Sequence, residues 1–133
     1  MVAHPRHVAI LDDDPSVRTA LGRLLKAEGM TVAVHATSDE LYKSIAQKCP
    51  DCLLLDLQMP ETSGLDVLKY LDQRHIHIPT IMITGHDEPI SRSACLNAGA
   101  MAYLIKPAHA GLLIQTINRV SQASHAGALA SFG

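Results

Sequence analysis

The sequence predicts an α/β fold in which a doubly wound parallel sheet is covered by helices on both faces, giving three layers. Five short apolar runs alternate with five segments whose apolar residues recur at helical spacing. The run at residues 52–55 shows no polar alternation, as expected of a strand buried on both faces. The chain has 133 residues, 47% of them hydrophobic, which fits one domain and is too short for an eight-unit barrel.

The first two repeats are separated by clear helix stops. Residues 7–11 form the first apolar run, and residues 31–34 form a second that is rich in valine. Helical spacing follows the first run at Val17, Leu21, Leu24 and Leu25. Gly29 marks the end of that helix. Ser38 is the expected N-cap of the second helix, which stops before Pro50.

The remaining three repeats follow the same pattern. Apolar runs are expected to form strands over residues 53–55, 80–84 and 101–105. Gly64 opens the third helix, and Asp87 is the expected cap of a fourth helix that ends near Gly99. A last helix follows Pro107 and carries apolar residues on its inner face, namely Leu112, Leu113, Ile117 and Val120.

Five such repeats favour the strand order 2-1-3-4-5, with the binding site outside the carboxyl ends of the strands where the order reverses. That point lies between strands one and three. Asp12, Asp13 and Asp14 follow the first strand and Asp56 ends the third, so these carboxylates should converge. Such a cluster repels itself unless it binds a cation, takes up protons or does chemistry.

Two further polar residues end strands at the same edge of the sheet, Thr84 after the fourth run and Lys106 after the fifth. Mg²⁺ prefers carboxylate, carbonyl and water oxygens, and it would offset the repulsion among the carboxylates. A carboxylate in such a site can act as a nucleophile and become an aspartyl phosphate. The lysine and the hydroxyl would then stabilise charge on the transferring group.

Taken together, these residues resemble the receiver domains of bacterial two-component response regulators. The resemblance covers about residues 7–120 and rests on the pair Asp12-Asp13, on Asp56, on Thr84 and on Lys106-Pro107. The stretch Asp56-Leu57-Gln58-Met59-Pro60 with Ser63-Gly64 is also typical of the family. The resemblance implies a flavodoxin-like (βα)5 fold and a Mg²⁺-dependent phosphoacceptor, with no conventional turnover activity beyond its own phosphorylation and autodephosphorylation.

The resemblance also implies a role for each matching residue of the site. Asp56 would be the phosphoacceptor. Asp13 and Asp56 would ligate Mg²⁺ (or Mn²⁺) directly, together with the backbone carbonyl of Gln58, whereas Asp12 would act mainly through water. Lys106 would pair with the Asp56 carboxylate and later with the phosphoryl group.

Thr84 and Tyr103 match the positions of the family's switch residues. Thr84 would donate to a phosphoryl oxygen and move toward it, and Tyr103 would rotate inward behind it. That motion would change the surface of helix 4, strand 5 and helix 5, through which a phosphorylation-dependent homodimer is expected. Residues 107–111 depart from the family's usual aromatic and acidic residues, which weakens this expectation. His86, two residues after Thr84, would limit water access at the mouth of the site.

The implied partners are proteins of a phosphorelay. A sensor histidine kinase, a phosphotransfer protein or a small donor such as acetyl phosphate would supply the phosphoryl group. Segments 13–18 and 84–87 resemble the subfamily that controls a helix-turn-helix DNA-binding domain, so transcription is the expected output. A net charge of −2 without a basic run argues against nucleic-acid contact by this domain. No apolar stretch approaches the ~20 residues of a membrane span, so a cytoplasmic protein is expected.

The receiver domain is expected over residues 1–122. Residues 123–133 are rich in Ala, Ser and Gly and are expected to form a flexible tail or a linker remnant.

Several alternatives compete with this interpretation. Asp12-x-Asp14 resembles the first motif of haloacid-dehalogenase-type phosphatases, in which Asp12 would be the nucleophile, although Pro15 replaces an expected Gly. A pseudo-receiver that binds partners without being phosphorylated is a second alternative. For Asp14 the alternative role is the N-cap of the first helix, with Pro15 at the first helical position. Cys49 and Cys52 match C-x-x-C but precede a strand instead of opening a helix, which favours structural thiols over redox chemistry.

Overall fold

The structure, a computed structural model, describes residues 5–130 and the side chains of residues 5–122. Within this range five strands and five helices alternate. The strands are β1 (His7–Leu11), β2 (Thr31–His35), β3 (Cys52–Asp56), β4 (Thr80–Thr84) and β5 (Ala102–Ile105). The helices are α1 (Pro15–Ala27), α2 (Ser38–Gln47), α3 (Gly64–Gln73), α4 (Pro89–Asn97) and α5 (Ala110–Ala130).

The strands form one parallel sheet with the order β2-β1-β3-β4-β5, which confirms the predicted topology. β3 lies at the centre, and each of its five residues is buried. The strand order reverses between β1 and β3, so a crevice opens at the carboxyl ends of these two strands. The edge position of β2 leaves Val34 48% exposed.

Two apolar layers hold the helices against opposite faces of the sheet. On one face α2, α3 and α4 contribute Leu41, Ile45, Val67, Leu68, Leu71 and Cys95. On the other face α1 and α5 contribute Leu25, Leu113, Ile117 and Val120. Leu112, predicted on this inner face, is instead 49% exposed, so that part of the prediction is wrong. Because successive strand residues point to opposite faces, each central strand supplies both layers. The three-layer α/β/α arrangement is therefore confirmed.

The helix starts differ in detail from the prediction. Thr37, not Ser38, caps α2 by accepting a hydrogen bond from the Glu40 N–H. Two adjacent hydroxyl residues compete for that position, and Ser38 is already helical. Asp87 does not cap α4, because the helix begins at Pro89 and the N-cap residue Glu88 makes no side-chain cap bond. The last strand begins at Ala102 instead of Met101.

Helix α5 continues to Ala130, past the expected domain boundary at residue 122. Side chains beyond that residue and the whole of residues 131–133 lie outside the described part of the chain, so the boundary and the tail stay predictions. No helix among the described residues is both long enough and apolar enough to traverse a lipid bilayer.

Candidate functional site

The predicted site residues meet in the crevice at the carboxyl ends of the strands. Asp12 directly follows β1, Asp56 ends β3, Thr84 ends β4 and Lys106 directly follows β5. Backbone bonds tie the neighbouring strand ends together, for instance from the Lys106 N–H to the Thr84 carbonyl at 2.8 Å. Convergence follows from topology alone, because all five parallel strands end at the same edge.

Three carboxylates form the centre of the site. One oxygen each from Asp12, Asp13 and Asp56 lies within 4.8 Å of the others. Asp12 and Asp56 are only 2% and 5% exposed, whereas Asp13 faces solvent. Two buried carboxylates and an exposed third thus present oxygens that a cation can bridge.

Lys106 supplies the positive charge of the site. Its ammonium donates to Asp12 Oδ2 at 2.9 Å and to Asp56 Oδ1 at 3.2 Å. Partial burial alone would lower the pKa of Lys106, but the hydrogen bond to Asp12 and the charges of Asp56 and Asp12 outweigh it and raise that pKa. Lys106 therefore stays charged. Its single positive charge contacts two of the three carboxylates but offsets only one negative charge.

The excess negative charge of the cluster contributes to a raised pKa of the Asp56 carboxyl. Burial and the charge of Asp12 raise the pKa of this carboxyl from 3.8 to about 6, while Lys106 partly opposes them. A cation bound beside Asp56 would favour its ionised form. Asp56 therefore takes up a proton more readily than an ordinary carboxyl when no cation is bound.

The oxygen set fits a hard divalent cation. Opposite ligands of octahedral Mg²⁺ lie ~4.2 Å apart, given metal–oxygen distances of ~2.1 Å. Adjacent ligands lie only ~3.0 Å apart. The three carboxylate oxygens, which lie within 4.8 Å of one another, must therefore move closer or bind the ion through water. The cluster is compatible with a metal site. The Gln58 carbonyl, two residues beyond Asp56, stays a predicted ligand.

Asp12 is held in place by contacts that the sequence did not reveal. The Asp14 N–H donates to Asp12 Oδ1 at 2.9 Å, and the Arg18 guanidinium donates to the Asp12 carbonyl at 2.8 Å. Arg18 reaches back from α1 across six residues, a separation for which no sequence motif exists. Asp14 itself accepts from the Ser16 N–H with Pro15 at the first helical turn, which confirms its role as the N-cap of α1.

The Thr84 hydroxyl is fully buried and bonds to the loop between β4 and α4, not to the carboxylates. It donates to the His86 carbonyl at 3.2 Å and accepts from the His86 N–H at 3.1 Å. The Tyr103 hydroxyl donates to the same carbonyl at 3.5 Å. Both predicted switch residues therefore meet at the backbone of His86, whereas the sequence pointed only to the His86 side chain.

The loop after Asp56 depends on a glycine. The Gly64 N–H donates to the Leu57 carbonyl at 2.8 Å, and a Cβ at Gly64 would lie 2.6 Å from the Asp56 carbonyl oxygen and 2.6 Å from Met82 Cε. Ser63 and Asp66 close a capping box on the same turn. The start of α3 thus packs directly against the end of β3, beside the backbone of Asp56.

The C-x-x-C cysteines lie away from this site, at the start of β3, and all three cysteines of the chain are free thiols. Burial raises the pKa of the Cys52 thiol to about 12 and also raises that of Cys49. An activated redox thiol needs a lowered pKa. The raised pKa values and the position of these cysteines before a strand favour the structural interpretation.

A five-stranded doubly wound sheet with three carboxylates and a lysine at its switch point is the arrangement of a receiver. The model of the response regulator receiver domain family matches residues 8–118. The chain belongs to this family. The match leaves the haloacid-dehalogenase alternative without support.

Similar proteins and solved structures are also response regulators or receiver domains. The transcriptional regulator NtrC of Escherichia coli K12 is 38% identical over 100 residues, which cover 75% of this chain and 21% of NtrC. The transcriptional regulatory protein FixJ of Rhizobium meliloti is 32% identical over 115 residues, 86% of this chain and 56% of FixJ. A CheY-like receiver domain from Methanospirillum hungatei matches with a TM-score of 0.86 and 26% identity over 92% of this chain and 98% of that one. The chain thus spans about a fifth to about half of these regulators.

Proposed function

We propose that Asp56 accepts a phosphoryl group in a Mg²⁺-dependent reaction and that the domain thereby switches a partner or an output. The observation that carries this proposal is the position of Asp56, a 5% exposed carboxylate 3.2 Å from Lys106 and within 4.8 Å of two further carboxylates. A carboxylate with such neighbours can act as a nucleophile whose developing phosphoryl charge is met by cations.

In the proposed reaction an Asp56 oxygen forms a bond to phosphorus, and the bond between phosphorus and the donor breaks. The donor is a phosphohistidine of a sensor kinase or of a phosphotransfer protein, or an acyl phosphate. A bound Mg²⁺ supplies Lewis-acid stabilisation of the phosphoryl oxygens. Asp12, Asp13 and the Gln58 carbonyl hold that ion together with Asp56, and Lys106 binds the transferred group.

Thr84 then turns its hydroxyl from the His86 backbone to a phosphoryl oxygen. The β4–α4 loop then loses the hydrogen bonds of 3.1 and 3.2 Å between Thr84 and the His86 backbone. The His86 carbonyl that Thr84 releases is also the acceptor of the Tyr103 hydroxyl. In this way a charge placed on Asp56 alters α4 and β5, a local event with a two-state readout.

The surface that would change carries exposed apolar side chains. Ile90 on α4 is 84% exposed, and Ile105 on β5 and Leu112 on α5 are 37% and 49% exposed. We propose that this α4–β5–α5 face forms a homodimer after phosphorylation. NtrC is a DNA-binding transcriptional regulator, and we propose a transcriptional output for this receiver too.

The test is the intact mass after incubation with acetyl phosphate and Mg²⁺. The wild type should gain one phosphoryl group of ~80 Da, as expected for a carboxylate nucleophile, and Asp56→Asn should gain none. Asp72→Asn, an exposed carboxylate on α3, is the matched control and should gain it. A mass gain in Asp56→Asn would mean that another residue is the nucleophile. If no protein gains mass, even with a phosphohistidine donor, the domain is a pseudo-receiver that is not phosphorylated.

A further inference from the structure

We propose that Arg92 is a clamp that holds the switch loop and Tyr103 in their unphosphorylated arrangement and so sets how readily the domain switches. This inference rests on the proposed function, since it concerns the cost of moving Thr84 and Tyr103. The juxtaposition behind it is that the guanidinium of Arg92 contacts Asp87 in the loop and the ring of Tyr103 on β5 at the same time.

The first contact is an ion pair with the loop. The Arg92 guanidinium lies 3.4 Å from Asp87 Oδ1 and 3.5 Å from Oδ2, and both side chains are 48% exposed. An isolated pair at such exposure adds little to stability. Arg92 and Asp87 would therefore be a weak surface pair if nothing else depended on their geometry.

The second contact joins Arg92 to an aromatic ring on the neighbouring strand. The guanidinium carbon of Arg92 lies 5.0 Å from the centroid of the half-buried Tyr103 ring, within the range of a cation–π interaction. A planar guanidinium can stack on an aromatic face while it pairs with a carboxylate, which a lysine ammonium does less well. Arg92 thus joins α4, the β4–α4 loop and β5, the three elements expected to move.

The contacts of Arg92 act on the same loop as the hydrogen bonds that Thr84 and Tyr103 make to the His86 backbone. His86 is held from inside by Thr84 and Tyr103, and its neighbour Asp87 is held from outside by Arg92. When Thr84 turns to the phosphoryl group, the inner bonds break and the outer contacts must also yield. Loss of Arg92 should therefore make the switch easier while leaving the carboxylate site untouched.

The experiment measures binding of beryllofluoride, an analogue of a carboxylate-bound phosphoryl group, in the presence of Mg²⁺. Arg92→Gln should bind it about threefold to tenfold more tightly than the wild type, as expected for the loss of a weak ion pair and one cation–π contact. Arg92→Lys, which keeps the charge, should lie between the two. Equal or weaker binding by Arg92→Gln overturns the proposal.

The chain offers a matched control. Arg74, the C-cap residue of α3, stacks on the Tyr70 ring with its guanidinium carbon 3.8 Å from the centroid, away from the switch loop. Arg74→Gln removes the same type of contact and should leave beryllofluoride binding unchanged. In a Tyr103→Leu background the effect of Arg92→Gln should shrink, because one of its two partners is gone. An undiminished effect in that background contradicts the coupling through Tyr103.

A measurement on the unphosphorylated protein separates this inference from the proposed function. The amide of His86, which donates to Thr84, should exchange its hydrogen faster in Arg92→Gln, with unchanged exchange in the central strand β3. Unchanged exchange at His86 overturns the clamp whatever the phosphorylation result. A wild type that binds no beryllofluoride removes the phosphoacceptor function and, with it, the role of the clamp in switching.

Discussion

The Lys106 ammonium lies closer to Asp12, at 2.9 Å, than to Asp56, at 3.2 Å. Asp12 is thus the principal partner of the lysine, although it is Asp56 that we expect to react. The negative charge of Asp56 is therefore offset less fully by Lys106 than that of Asp12. Burial and the Asp12 charge raise the pKa of Asp56 to about 6. The residue that would accept the phosphoryl group is the one with the greatest need of an added cation.

Lys106→Met should separate the two roles of the lysine. Without its charge the carboxylates repel one another more strongly, so Mg²⁺ should bind at least as tightly as in the wild type. Phosphorylation by acetyl phosphate should nevertheless be slower by about 10²-fold, the usual cost of losing one group that stabilises developing charge. Mg²⁺ titration and the time course of the mass gain measure both effects. Lys43→Met on α2 is the control, and a parallel fall in Mg²⁺ affinity would contradict the account.

The metal-free protein should be stabilised by Asp56→Asn at high pH only. The folded state binds the Asp56 proton more tightly than the unfolded state, whose carboxyl has a pKa near 3.8. Stability from this group is therefore present below about pH 4 and lost as the pH rises through about 6. Above that range the variant should be more stable by about 1–3 kcal/mol, since one pKa unit corresponds to about 1.36 kcal/mol.

Thermal unfolding of Asp56→Asn and of wild type at pH 4 and pH 8, without Mg²⁺, measures this difference. Asp72→Asn should shift the melting temperature equally at both pH values. An Asp56→Asn advantage that does not change with pH would mean that carboxylate repulsion is not its cause.

Gly64→Ala and Gly22→Ala should change stability in opposite directions. At Gly64 the new methyl group meets the Asp56 backbone oxygen and Met82 at 2.6 Å, so we expect a loss of about 1–3 kcal/mol, typical of overpacking. At Gly22, inside α1, the nearest atom is Val34 Cγ1 at 3.8 Å, and Ala should stabilise the helix by about 0.5–1 kcal/mol. Denaturant unfolding measures both, and a neutral Gly64→Ala would refute the close packing of β3 against α3.

Ile90→Ser should weaken the phosphorylation-dependent dimer. The side chain is 84% exposed, so its loss should cost the monomer little, while an apolar interface on the α4–β5–α5 face would lose its most accessible residue. Sedimentation with and without beryllofluoride measures the dimer fraction. Val34→Ser, with a 48% exposed valine on the edge strand β2, is the control. Equal effects of the two substitutions would place the dimer interface elsewhere.

The strand ends were the informative part of the sequence. Asp12, Asp56, Thr84 and Lys106 each terminate an apolar run, and parallel topology brings such ends to one edge whatever the details of the loops. Apolar periodicity also located α1, α2, α3 and α5, because burial of one face dominates their pattern. The fourth helix was placed only from Asp87 and Gly99, and its cap was predicted wrongly.

The contacts that orient the site were not predictable in the same way. Arg18 reaches a backbone carbonyl, and His86 acts through its own backbone, so neither contact depends on a residue pattern. The clamp residue Arg92 lies in an ordinary polar position of α4 and acquires its meaning only from the nearby Tyr103 ring. The choice of Thr37 over Ser38 as a cap depends on backbone angles that either residue can adopt.

The most direct test of the central claim is to locate the phosphoryl group itself. Borohydride reduces an acyl phosphate to an alcohol, so treatment of the phosphorylated protein should convert the acceptor aspartate into homoserine. Peptide sequencing by mass spectrometry after Mg²⁺ and acetyl phosphate should find homoserine at position 56 and at no other aspartate. Homoserine at position 12 or 13, with Asp56 intact, would contradict the assignment of Asp56 as the nucleophile.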